Sequence, residues 1–151
     1  MIRVLLMPVM VILLAACTVE PEPILYGEDN CMHCQMTIMD HRYGTEIVTA
    51  KGKVYKFDSI ECLVEFFVEK NTGNEEFSLI LFTPYNQPGK LVDVHKSHVL
   101  HSRNLPSPMG MYLTAFETEN EALSFKEKNG GKVYDWEGLL ENYKLIRTVG
   151  R

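Results

Sequence analysis

The hydrophobic period changes abruptly at Asp58, and this limits the folds open to the chain. Lys53-Val-Tyr-Lys-Phe57 alternates with the period of a strand, whereas Ile60, Leu63, Val64, Phe67 and Val68 recur at helical spacing. Upstream, Thr45–Ala50 is rich in β-formers and Lys51-Gly52 is a turn, so a hairpin feeds straight into a helix. Asp58 or Ser59 can cap that helix, with Glu61 near its start. A hairpin at this place favours an α+β fold over a doubly wound parallel sheet.

The remaining pattern predicts a buried strand over Phe77–Phe82, a loop over Pro84–Lys90, and a β-like stretch over Leu91–Ser102. A Pro/Gly loop over Asn104–Gly110 then leads to a strand over Met111–Phe116. Next come a helix over Glu119–Asn129 closed by Gly130-Gly131, a strand over Lys132–Tyr134, and a last helix from Trp136 to Ile146. The order reads as two similar halves. Gly52-Lys-Val-Tyr55 recurs as Gly131-Lys-Val-Tyr134, each time before a helical run, although four residues alone are slender support for a repeat.

The N-terminus has the three-part layout of a secretory signal: one cation at Arg3, the apolar run Val4–Leu14, and small residues before Cys17. The run is far short of the roughly 20 residues a membrane-spanning helix needs. Leu-Ala-Ala-Cys resembles a lipobox, so residues 1–16 are expected to be removed and Cys17 to carry lipid. Residues 17–30, with Glu-Pro-Glu-Pro, then form a short tether. Thr18 is not the Asp that often retains a lipoprotein at the inner membrane, so a periplasm-facing position at the outer membrane is expected. The formal net charge is −5, and more negative without Arg3, so nucleic acid is not an expected partner.

Four cysteines are present, and once Cys17 is lipidated an odd set remains: Cys31, Cys34 and Cys62. That is not a plain disulfide framework. The segment Cys31-Met-His-Cys34-Gln-Met36-Thr-Ile-Met39 packs two thiols, three thioethers and an imidazole into nine residues. Sulfur donors of this kind select soft ions, Cu(I) foremost, and Cu(I) is satisfied by two or three of them. A structural Zn(II) site needs four ligands.

Two backbones are open to this segment. A helix would make Met32, Met36 and Met39 a core stripe and put Cys31 and Cys34 on one face. A loop entering a strand would put Cys34, Met36 and Ile38 on one face and mix thiolate with thioether, and this is the preferred reading. A thioredoxin-like dithiol is the rival chemistry, and would make the chain a thiol–disulfide oxidoreductase using Cys31 and Cys34. That motif, however, normally follows a strand and opens a helix. A zinc site drawing on Cys62 or a histidine is a further alternative.

Met109, in the loop Pro106–Gly110, has less packing reason than a helical methionine and is as good a candidate ligand as it is a structural residue. His95, His98 and His101 recur every third residue, so on a strand His98 faces away from the other two, which argues against a shared site. Cys62 reads as a buried, inert thiol and Asp58 as a helix cap. No Ser/His/Asp set, phosphate loop or catalytic carboxylate pair stands out, so no enzyme is expected.

Three ordered motifs resemble the NosL family, the lipoprotein accessory factors for copper-site assembly in nitrous oxide reductase. They are Cys31-x-x-Cys34-x-Met36-x-Ile38; Lys51-Gly-Lys-Val-Tyr-Lys-Phe-Asp58-x-Ile60-x-Cys62; and Ser107-Pro-Met-Gly110 with Ala115-Phe116. The resemblance implies two small related ββαβ-like units, expected over 31–90 and 91–151. It implies a Cu(I) chaperone acting on nitrous oxide reductase with its membrane and periplasmic assembly machinery. Carried over by position, it implies Cys31, Cys34, Met36 and Met109 as metal residues. The family usually has Gly where this chain has Gln35, a residue less suited to positive φ.

Overall fold

The computed structural model describes residues 19–70 and 76–149. The expected signal and the expected lipidation at Cys17 therefore lie outside the described residues. The expected hairpin is β1 (Thr45–Thr49) with β2 (Val54–Phe57), antiparallel in the register Thr45↔Phe57 and Ile47↔Tyr55. The helix follows at once as α1 (Ile60–Lys70). β3 (Phe77–Phe82) returns antiparallel to β1, and the two-residue β4 (Val92–Asp93) completes a sheet ordered β2-β1-β3-β4.

The second half repeats this plan. β5 (His98–His101) pairs with β6 (Leu113–Phe116), α2 (Glu119–Asn129) follows, and β7 (Lys132–Tyr134) adds to β5, giving the order β6-β5-β7. The fold is thus α+β with two ββαβ units, and α3 (Trp136–Val149) trails the second. The expected β-stretch Leu91–Ser102 is broken: a 3₁₀ turn over Val94–Lys96 separates β4 from β5. Asp93 starts that turn by accepting from the His95 N–H at 2.8 Å, an Asx device that competes with strand pairing. The repeated Gly-Lys-Val-Tyr opens β2 in one unit and β7 in the other. These are the second and third strands of the motif, so the match is not the signature of the repeat.

α1 lies between the two sheets, touching β1 and β2 on one side and β6 on the other. This position explains a departure from the simple amphipathic pattern. Phe66 is buried against Tyr55 and Phe57, while Val68, expected on the core face, is 47% exposed. The first turn of α1 is buried on every side, Glu61 included. Phe67 and Phe82 both meet the Trp136 ring edge-on, at 5.2 and 5.8 Å between centroids, so one indole joins the units. α2 covers the other face of the second sheet with Ala122 and Phe125 on Leu100 and Phe116. Its start is a capping box, Thr118 with Glu121.

The segment expected as a tether is docked from Glu22 onward. The Glu22 N–H donates to Glu46 Oε1 at 3.0 Å, and Lys56 Nζ donates to the Pro23 carbonyl and to Asp29 Oδ2, each at 2.9 Å. Glu46 and Lys56 are cross-strand partners on the hairpin. Ile24 enters the core beside Ile38. No helix among the described residues is long and apolar enough to cross a membrane.

Candidate metal centre

Residues 29–38 form a small closed hairpin, the loop alternative rather than the helical one. Asn30 and Thr37 make an isolated antiparallel bridge, and the Ile38 N–H donates to the Asp29 carbonyl at 2.9 Å. Within it the Cys31 N–H donates to the Met36 carbonyl at 2.8 Å and the Gln35 N–H to the Cys31 carbonyl at 3.0 Å. The turn is fastened to the outer edge of β2 by the Met32 N–H, which donates to the Lys56 carbonyl at 2.8 Å. That bond sets Met32, which lies between the two cysteines, beside Lys56, two residues upstream of Asp58 on the sheet edge.

β2 ends at Phe57, and the chain turns through Asp58 and Ser59 into α1. Ser59 is the residue that caps: its Oγ accepts from the Cys62 N–H at 3.3 Å. Asp58 is thereby free for another partner. Its Oδ1 accepts from Cys34 Sγ at 3.7 Å. Asp58 and Cys62, four residues apart, lie on the same side of the helix start. The result is one cluster in which a ligand atom from each of Cys31, Cys34, Asp58 and Cys62 lies within 4.8 Å of the others. All three cysteines are free thiols. Cys31, Cys62 and Asp58 are buried, and Cys34 is partly exposed, so the cluster opens to solvent on the Cys34 side.

The thiols are electrostatically unequal. Cys31 is held down at about 6, chiefly by a hydrogen bond from Cys62. The backbone N–H groups of Cys34, Asp58 and His33 add to this against the cost of burial. Cys62 is pushed up because it donates to Cys31, lies buried, and faces Asp58. Cys34 is raised mainly by burial. Cys31 is therefore the sulfur most disposed to ionise, and Cys34 and Cys62 hold their protons more tightly. An arriving soft cation binds thiolate sulfur and so displaces protons from the site.

Met36 and Met109 keep their side chains 48% and 38% exposed. Met36 is exposed although Ile38, two residues on, is fully buried, and Gln35, with φ of +64°, interrupts the alternation between Cys34 and Met36. Met32 and Met39 are also exposed, so the methionines are not a core stripe. His33, inside the turn, is tied by its Nε2 to Glu65 Oε2 at 2.8 Å, and Glu65 in turn pairs with Arg147 at 3.2 Å. His95 instead pairs with Glu137 at 3.2 Å, and the three spaced histidines form no common group among the described residues.

Cys62 and Asp58 are the residues the sequence reading placed elsewhere, as an inert thiol and a cap. Cys62 is indeed buried, but against two other thiols. The i, i+4 spacing of Asp58 and Cys62 at a helix start was the available signal.

Two ββαβ units with a thiol cluster at the seam of hairpin and helix define the class, and the sequence agrees: the NosL family model matches residues 24–143. The chain belongs to the NosL family. Among solved structures, the fold is similar to that of the copper chaperone NosL from Shewanella denitrificans. The TM-score is 0.67 at 18% identity, over 80% of this chain and 95% of that one. No curated protein sequence matches the chain.

Proposed function

We propose that the protein is a lipid-anchored Cu(I) carrier that delivers copper for assembly of nitrous oxide reductase. The observation that carries this is the convergence of three free thiols around a point open to solvent on one side. Membership of the NosL family and a fold shared with a named copper chaperone support it.

Copper is cargo here, not a resident cofactor. Two or three sulfurs satisfy Cu(I), so Cys31, Cys34 and Cys62 can seize it, and the exposed thioethers of Met36 and Met109, which the family resemblance adds to the set, are free to take part. A partner's soft ligand can enter from the Cys34 side without prior unfolding. No turnover chemistry is required. The family resemblance supplies the target, and the lipobox at Cys17 supplies the anchor, with the outer membrane the favoured location.

Cu(I) titration against a competing chelator tests the binding. A Cys31→Ser, Cys34→Ser, Met36→Leu triple variant with unchanged affinity would overturn it. Labelled fatty acid incorporated by the wild type and lost in Cys17→Ser tests the anchor. Loss of nitrous oxide reduction in a deletion strain, restored by added copper, tests the target. One observation favours a second reading: Asp58 completes a four-donor Cys₃Asp set, which suits Zn(II). Equal retention of Zn(II) and Cu(I) after competition would favour it.

A further inference from the structure

The loop carrying Met109 is held by an unusual anchor. Glu61, the residue before Cys62 in the first turn of α1, is 1% exposed. Its Oε1 accepts from the Ser107 hydroxyl and, at 3.4 Å, from the Leu113 N–H. Ser107 Oγ accepts in turn from the Tyr112 N–H at 2.9 Å. The Ser107 carbonyl closes the turn around Met109 by accepting from the Gly110 N–H at 3.0 Å. Tyr112 sits at φ of +62° and Gly110 at +74°, so the backbone is bent tightly on both sides of Met111. Tyr143 donates to the Glu61 carbonyl at 3.2 Å and packs its hydroxyl 3.9 Å from Met111 Sδ.

A carboxyl is an expensive way to pin a loop. Glu61 Oε2 is buried with no hydrogen-bond partner, so an apolar residue would pack at lower cost. The carboxyl does something an apolar residue cannot. It takes two donors from the second unit and holds them against the helix turn that bears Cys62. Met111 is buried by the same contacts, which leaves Met109 as the exposed thioether of the loop.

We infer that Glu61, acting through Ser107, is a positioning residue that holds the Met109 loop against the cysteine-bearing turn of α1, so that Met109 closes the copper site. This rests on the reading of the protein as a Cu(I) carrier with Met109 as a ligand. Outer groups that orient metal ligands are typically worth about 10–100-fold in metal affinity. Ser107→Ala is therefore expected to weaken Cu(I) binding about tenfold, as is Glu61→Ala, while Glu61→Gln keeps the acceptor and restores most of it.

The experiment is chelator competition for Cu(I) on the whole chain, with Ser107→Ala, Met109→Leu and their double variant, plus X-ray absorption to count sulfur ligands. Urea midpoints of the apo forms control for folding, and Ser107→Ala keeps the test open if Glu61→Ala does not fold. The expected result is that the double variant binds no more weakly than Met109→Leu alone, and that both single variants lose the same sulfur. Additive losses, or wild-type affinity in Ser107→Ala where Met109→Leu is weakened, would overturn the inference. Unchanged binding in Met109→Leu would overturn it as well, by removing Met109 as a ligand. Failure of the carrier reading looks different: the wild type itself would not retain Cu(I).

Discussion

The Cys34 thiol points at the Asp58 carboxylate across 3.7 Å, so the one hard donor of the cluster faces its most exposed sulfur. Soft and hard cations should respond differently to the loss of that oxygen. Asp58→Ala is expected to leave Cu(I) affinity within about threefold while lowering Zn(II) affinity at least about tenfold. Cys34→Ser is expected to weaken both. Parallel competition titrations with the two ions check this, and an equal loss for both would make Asp58 a general ligand.

Gln35 occupies a left-handed conformation, φ +64°, which costs a side chain with a Cβ roughly 1–2 kcal/mol. Its Nε2 recovers part of that by donating to the Met32 carbonyl at 2.9 Å, an exposed bond. Gln35→Gly is therefore expected to raise stability by about 0.5 kcal/mol, and Gln35→Val to lower it by more than about 1 kcal/mol. Urea unfolding of the apo protein measures both. A stabilised Val variant would refute the strain argument.

Glu46 is fully buried on β1 and its carboxyl is raised to about 7, mainly by burial. The Glu22 N–H and Lys56 lower it, and Glu22 and Asp29 raise it. The folded chain thus keeps a proton that the unfolded chain releases near the ordinary value of 4.5. Between those two values unfolding releases a proton from this group, so its own contribution to stability falls as pH rises, by up to about 3 kcal/mol, and is lost above about pH 7. Glu46→Gln is expected to flatten this slope. Urea midpoints from pH 5 to 8 decide it, and an unchanged slope would place the titration elsewhere.

Gly131 sits at φ +97°, and a Cβ there would lie 2.2 Å from the His101 carbonyl oxygen. Neither backbone can yield without breaking the β5–β7 pairing, which puts His101 opposite Lys132. Gly131→Ala is expected to cost more than about 2 kcal/mol. Hydrogen exchange should show the loss first in β7.

Most of the fold was legible because its signals are local. The change of period at Asp58, the Gly130-Gly131 stop and the strand before Trp136 all report on neighbouring residues. The cluster was legible only in half. Cys31 and Cys34 declare themselves by spacing, but Cys62 looks like any apolar helix residue until the hairpin lays the Cys31 turn along β2. Glu61 was likewise read as a favourable charge at a helix start. Only the packing of the second unit over α1 shows that it is sealed in. The docking of residues 22–30 was hidden by a composition that suits an extended spacer equally well.

That docking shortens the leash. Between Cys17 and Glu22, the first fastened point among the described residues, only four residues intervene, and the five steps from one to the other span at most about 18 Å when fully extended. A carrier lipidated at Cys17 would patrol a thin layer next to the bilayer instead of sweeping the compartment. Its copper could then pass only to proteins that bring their acceptor ligands down to the membrane surface, which makes altitude a selection rule for partners.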